Sequence, residues 1–224
     1  MYERMFDQKS QIEMDKFFLE TFASEGTIKW FEKGVILDPT DHNQIYLILE
    51  GELNQVMFSK TGSMINYYRL LKGNIFGEID YFDTDRTYVM NKTMKSSKVA
   101  IISRSVVEAK LREYPEMYEF FLTSIVKKYR IIMLELANHK FNDAYGRLAD
   151  FFLRLYYSEE NPGKDHVLDI VFTQEEVANR IGLNRITVTN GIKKFKELGF
   201  IEIINRKIVI KDVEGLKEYT NVPI

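Results

Sequence analysis

Five polar side chains in one short stretch, Arg185, Thr187, Thr189, Asn190 and Lys193, are of the types that grip and read a nucleic-acid duplex. Arginine and lysine donate to phosphate or guanine, an asparagine amide pairs with adenine, and threonine hydroxyls reach phosphates or base edges. From Arg185 to Lys196 there are four basic residues (Arg185, Lys193, Lys194 and Lys196) and no acidic one. Other chemistry has little material. The chain has no cysteine, which removes thiolate ligands, iron–sulfur clusters and thiol redox sensing. Its three histidines, His42, His139 and His166, are far apart and make no cupin-like metal set or haem site. Neither a Ser/His/Asp nor a Cys/His constellation is available, so no catalytic or metal-binding residues are assigned and an enzyme is not expected.

The polar stretch needs elements that aim it. Thr173 followed by Glu176 is a capping box that starts a helix. Val177, Ala178 and Ile181 form its apolar stripe. Gly182 suits the left-handed position that ends it, and Leu183 plugs the corner. Asn184 is a good cap for a second helix. That helix is expected to carry Ile186, Val188 and Ile192 inward and the polar five outward. Helix, glycine turn and polar helix at this spacing make a helix-turn-helix, whose second helix enters the major groove. Thr173, Gln174, Asn184 and Ile186 complete the candidate DNA-contacting set. Gly191, inside the second helix, costs about 1 kcal/mol against alanine and has no reason visible in the sequence.

The 224 residues can bury two modest cores, and 31 basic against 33 acidic residues give a net charge of −2. Affinity for a polyanion must therefore come from a local patch, doubled by dimerisation. No apolar run approaches a membrane span, so the expectation is a cytoplasmic protein without a membrane partner.

Residues 1–12 read as an arm and Asp15–Ala23 as a short helix. From Thr27 to Ser103 the apolar pattern has period two, punctuated by Gly34, Gly51, Gly62, Gly73 and Gly77. Residues 45–49 and Leu53–Phe58 are expected to pair as a tight hairpin about Glu50-Gly51. Lys60–Ser63 is a second turn, Met64–Leu71 returns, and Val99–Ile102 is the last strand of a jelly-roll-like antiparallel β-roll. After a short helix over Ser105–Arg112, a long one spans about Pro115 to Lys140. On it Tyr118, Leu122, Ile125, Tyr129, Ile132, Leu136 and His139 repeat every 3.5 residues, a seam for a parallel dimer, with packing back onto the β-domain as the alternative. Phe120, Phe121 and Ile131 lie off that seam and suit packing on the β-domain. Phe141-Asn-Asp143 is the expected hinge, followed by a helix over Ala144–Tyr157. His166–Phe172 is expected to be a strand, and Phe200–Ile204 with Lys207–Ile210 a β-wing whose tip carries Arg206. The expected fold class is α+β: β-roll over 1–113, dimerisation helix over 114–140, winged helix-turn-helix over 141–224.

This order resembles the CRP/FNR superfamily of bacterial transcription regulators, most strongly over 143–211, from DAYGRLADFFLRL through FTQEEVANRIGLNRITVTNGIKKFKELGFIEIINRKIVI. The resemblance implies a homodimeric, sequence-specific regulator, with operator DNA as partner, RNA polymerase as a further one and a small-molecule effector in the β-roll. Arg185 would donate to guanine or phosphate, and Thr187 and Lys193 would touch the backbone. Ile186 and Asn190 depart from the common family residues, a glutamate and an arginine, so a different operator is implied: adenine for Asn190 and, if Ile186 faces the groove, a thymine methyl for that residue. In nucleotide-binding members the stretch IFGEIDYFDTDRTYV would cradle a cyclic nucleotide, through Gly77, Glu78, Arg86 and Thr87, with Ile132 and Met133 near the base. The cassette is short here, Tyr88 replaces a small residue, and Asp80, Asp83 and Asp85 crowd the arginine. Ile132 and Met133 offer no hydroxyls. A cyclic nucleotide is therefore disfavoured, and a structural Glu78–Arg86 ion pair is the competing reading. The alternative function is a ligand-binding or interaction module whose winged helix no longer contacts DNA.

Overall fold

The computed structural model describes residues 8–39, 43–62, 64–83, 88–158, 167–168, 173–205 and 207–222. The chain forms two compact units, one from Lys9 to Ile131, the other from Ile132 onward. In the first, helix α1 (Gln8–Phe22) precedes eight strands: β1 (Thr27–Phe31), β2 (Ile36–Leu37), β3 (Gln44–Glu50), β4 (Leu53–Phe58), β5 (Met64–Leu70), β6 (Ile75–Phe76), β7 (Met90–Thr93) and β8 (Ser97–Ser103). Helix α2 (Glu78–Phe82) lies between β6 and β7, and α3 (Arg104–Glu113) follows β8. The long helix α4 (Met117–Phe141) carries the chain from the first unit into the second. The α+β class is as expected from the sequence. Helix α1 starts earlier than expected, so residues 9–12, assigned to an arm, are helical.

The strands make two antiparallel sheets, β1-β8-β3-β6 and β2-β7-β4-β5. Tyr46, Ile48, Phe76 and Val99 of the first meet Leu53 and Leu70 of the second. Alternate residues of β3, Ile45 and Leu47, point the other way, into a cluster with Phe18, Phe22, Val107, Leu111 and Phe121. Burial on both faces explains why β3 is a continuous apolar run rather than an alternation. Phe120 stacks on Phe17 with ring centroids 4.6 Å apart, so Phe120 and Phe121 pack on the β-domain as their place off the seam implied.

The expected hairpin at Glu50-Gly51 is not formed. Strands β3 and β4 belong to different sheets, and the turn between them carries the chain from one layer to the other. Gly51 has φ 96°, and a Cβ there would lie 2.7 Å from the Ser97 Cα and from the Ser96 carbonyl oxygen. The turn is thus pressed onto the start of β8, where only glycine fits. The β4–β5 hairpin does form, with a register shift between Gln55 and Val56.

In the second unit, α5 (Ala144–Ser158), α6 (Gln174–Ile181), α7 (Arg185–Glu197) and α8 (Val213–Lys217) enclose one core. Leu148, Phe151, Phe152 and Leu155 of α5 are buried in it, with Val177, Ile181, Val188, Ile192 and Phe195. A three-stranded sheet, β10 (Ile201–Ile204), β11 (Lys207–Ile210) and β9 (Val167–Leu168), forms the wing. Only residues 167–168 of the expected 166–172 strand are described, and Arg206 at the wing tip lies outside the described residues.

Candidate nucleic-acid interface

The lead-in helix starts as its residues dictate. Thr173 Oγ1 accepts from the Glu176 N–H at 3.1 Å, while Glu176 Oε2 accepts from the Thr173 N–H at 2.9 Å. Gly182 ends α6 at φ 63°. The Asn184 side chain accepts from the Thr187 N–H at 2.8 Å and from its hydroxyl at 2.9 Å. Thr187 is therefore half-buried in the cap.

Arg185, Ile186, Thr189, Asn190 and Lys193 are exposed along one face of α7. Ile186 corrects its expected inward place: it is 74% exposed. It is two residues from buried Val188, about 200° round a helix of 3.6 residues per turn, so the two cannot share a face. Thr189 donates to Gln174 Oε1 at 2.7 Å and to the Arg185 carbonyl at 2.9 Å. The start of α6 and the outer face of α7 are thereby tied together, a link between two candidate residues that no local pattern announces. Lys193 lies 3.8 Å from Glu197, both side chains well exposed.

Lys194 is spoken for. Its ammonium sits 4.5 Å from the Tyr145 ring centroid and 4.9 Å from that of Tyr219. It packs inward, so the outer cations of the helix are Arg185, Lys193 and Lys196. Gly191 now has its reason: a Cβ would lie 2.5 Å from Leu148 Cδ2 and 3.3 Å from Tyr145 Cδ1. Its absence lets α7 lie directly on α5.

In the first unit, Gly77 has φ 85° and Glu78 is 1% exposed. Glu78 is ion-paired with Lys128 of α4, whose ammonium also donates to the Ile75 carbonyl at 2.9 Å. The nearby Tyr68 phenol is pushed well above its ordinary range, first by burial and then by the Glu78 charge. Lys128 was not among the expected site residues. It falls off the apolar seam in a helix with many charges, and nothing local marks it. Arg86 and Thr87 lie outside the described residues. Tyr88 is exposed, with φ 55°, a conformation bulky side chains avoid. Ile132 and Met133, in the second unit, are exposed on α4. Among the described residues no three His, Cys, Asp or Glu side chains are grouped to hold a metal, and no helix is long and apolar enough to cross a membrane.

A capped two-helix motif with an exposed polar-basic second helix and a β-wing defines a winged helix-turn-helix protein, a DNA-binding class. Residues 146–219 match the Crp-like helix-turn-helix domain. The CRP-like cAMP-activated global transcriptional regulator of Mycobacterium tuberculosis is 24% identical over 177 residues, 78% of each chain. A global nitrogen regulator of Nostoc is 26% identical over 208 residues, 90% of this chain and 89% of that one. Among solved structures, a CooA mutant from Carboxydothermus hydrogenoformans aligns with TM-score 0.75 at 20% identity, over 88% of each chain. FixK2 from Bradyrhizobium japonicum aligns with TM-score 0.72 at 15% identity, over 89% of this chain and 99% of that one. Residues 146–219 thus carry a Crp-like helix-turn-helix domain, and over most of its length the chain is similar in sequence to CRP-like transcription regulators and in fold to CooA and FixK2.

Proposed function

We propose that the chain is a homodimeric, sequence-specific regulator whose helix α7 reads the major groove of operator DNA. The observation that carries this is the exposed row Arg185, Ile186, Thr189, Asn190 and Lys193 on a helix whose opposite face is buried. Arg185 suits guanine or phosphate, Asn190 adenine, and Ile186, now facing outward, a thymine methyl. Thr173, Gln174 and Asn184 lie at helix starts, where phosphates are met.

The dimer rests on α4. Tyr118, Leu122, Tyr129, Ile132 and Leu136 are all exposed in the single chain and Ile125 is half-buried, an apolar stripe of 3.5-residue period. A small-molecule effector in the β-roll would bias α4 and the joint at 141–143 toward or away from DNA-competent spacing. A cyclic nucleotide is disfavoured as that effector, because Glu78 is already committed to Lys128. Contact between the bound dimer and RNA polymerase is the step through which regulation would act.

The test is a mobility-shift titration over a range of salt concentrations, using duplexes selected in vitro against the protein. Affinity is expected to fall linearly with salt on logarithmic axes. A dimer with no salt-sensitive binding to any duplex would instead make the chain an interaction module.

A further inference from the structure

The last turns of α4 and the helix-turn-helix belong to the same unit, and a polar contact through α5 links them. Arg147 Nη1 of α5 lies 3.0 Å from His139 Nδ1 and 3.4 Å from the carbonyl oxygen of Ile181, the final residue of α6. The imidazole also packs against the turn, with its Cε1 3.3 Å from where a Cβ on Gly182 would stand. A guanidinium has donors only, so His139 Nδ1 must accept and the ring must be neutral, with its proton on Nε2. Protonating Nδ1 would turn donor against donor and set two cations face to face. The same guanidinium holds a carbonyl at the C-terminus of α6, one of the groups a helix end leaves unsatisfied. Three residues beyond Gly182 the reading helix begins.

We infer that His139 and Arg147 form a proton-sensitive brace that fixes the helix-turn-helix turn, and hence the start of α7, against the end of α4. Both are positioning residues for DNA binding, and the inference rests on the DNA-reading function proposed above. Arg147 of α5 contacts the ring and Glu135, one turn back on α4, interacts with it electrostatically, while Lys140 on α4, Asp143 at the joint and Arg180 in the last turn of α6 are the other charged residues of the neighbouring segments. Glu135 faces Arg154, which also pairs with buried Asp150. The direct contact of the ring is with the Arg147 guanidinium. Imidazole is the side chain whose charge changes within the physiological range, so acidification releases the turn.

The experiment measures affinity for a selected duplex by fluorescence anisotropy, from about pH 5.5 to 8 at constant ionic strength. The parent is expected to lose roughly threefold to tenfold in affinity on acidification, the weight of one hydrogen bond. His139→Ala should bind weakly and show little pH response. His139→Gln, whose amide oxygen accepts at every pH, should recover most of the affinity without the pH response. A flat parent profile, or an unchanged slope in His139→Gln, would overturn the brace. Amide hydrogen exchange over residues 181–185 in the DNA-free protein, compared with His139→Gln at each pH, provides a readout independent of binding. Faster exchange in the acidified parent alone supports the brace even if no duplex is bound, in which case the DNA reading fails and the brace stands. Equal exchange overturns the brace whatever the DNA result.

Discussion

Adjacent lysines on α7 do different work, and mutation should separate them. Lys193 is exposed, near only Glu197, whereas Lys194 lies over two tyrosine rings. Lys193→Ala is expected to leave stability within about 0.5 kcal/mol of the parent and to reduce the slope of log affinity against log salt by about 1 per subunit. Lys194→Ala should leave that slope alone and cost about 0.5–1 kcal/mol in urea denaturation through lost cation–π contact. Equal salt slopes for the two variants would contradict the assignment of Lys193 to phosphate. Arg185→Ala, if Arg185 pairs with a guanine, should lose about 1–3 kcal/mol of binding and relax the sequence preference at one base pair, measured by repeating the duplex selection. Gly191→Ala tests packing. On a solvent-facing helix alanine would stabilise by about 1 kcal/mol, but here the methyl meets Leu148 and Tyr145. Overpacking of about 1–3 kcal/mol should cancel or outweigh that gain, and thermal unfolding would show no rise in midpoint.

At the level of elements, local chemistry was legible and layer assignment was not. Capping box, left-handed Gly182 and Asn184 cap all act within four residues, so the helix-turn-helix could be placed from sequence. Ile186 is apolar yet faces outward, because it stands about 200° round the helix from buried Val188. The Glu50-Gly51 turn looks the same whether its strands pair or part, and what decides is a contact with residues 96–97, far along the chain. Gly51→Ala is accordingly expected to destabilise the first unit by about 2 kcal/mol or more, from left-handed strain and the clash with Ser97, measured by chemical denaturation. Lys128 was invisible for the same reason of distance. Lys128→Met should be costly because it leaves Glu78 buried and unpaired. Between α4 and α5 lies the expected hinge, and it is closely bonded. Asn142 donates to Asn138 Oδ1 at 2.7 Å and accepts from the Asn221 N–H at 2.6 Å, while Asp143 caps α5 at the Gly146 N–H, 2.8 Å away. Beside this joint Glu135 is pushed above the usual carboxylate range, chiefly by burial and partly by Asp150, with Arg154 opposing. A carboxylate raised in the fold binds its proton more tightly folded than unfolded, so its favourable contribution is full at low pH and is lost as pH rises through the raised value. Just above the ordinary carboxylate range, parent stability should therefore fall with pH more steeply than that of Glu135→Gln, a comparison made by urea denaturation at several pH values.

At the scale of the whole molecule, a net charge of −2 gives no general attraction to DNA, so in the proposed dimer binding strength would come from pairing two reading helices. Half-sites one helical turn apart call for two such helices about 34 Å apart. The apolar stripe of α4 is the surface that would set this spacing, and it is exposed enough to test without disturbing either core: Leu122 and Leu136 are 62% and 63% exposed. A Leu122→Glu, Leu136→Glu double variant places like charges opposite each other in a parallel pair while leaving the single chain's packing untouched. It is expected to keep the parent's circular dichroism and to run as a monomer in light scattering. With one reading helix per particle, the number of neutralised phosphates halves, so the slope of log affinity against log salt should halve as well. Affinity for a palindromic duplex should fall by about 100-fold or more, since the second contact no longer benefits from linkage to the first. A variant that is monomeric yet binds with the parent's slope would show that one winged helix makes all the contacts, and the stripe on α4 would then need another partner.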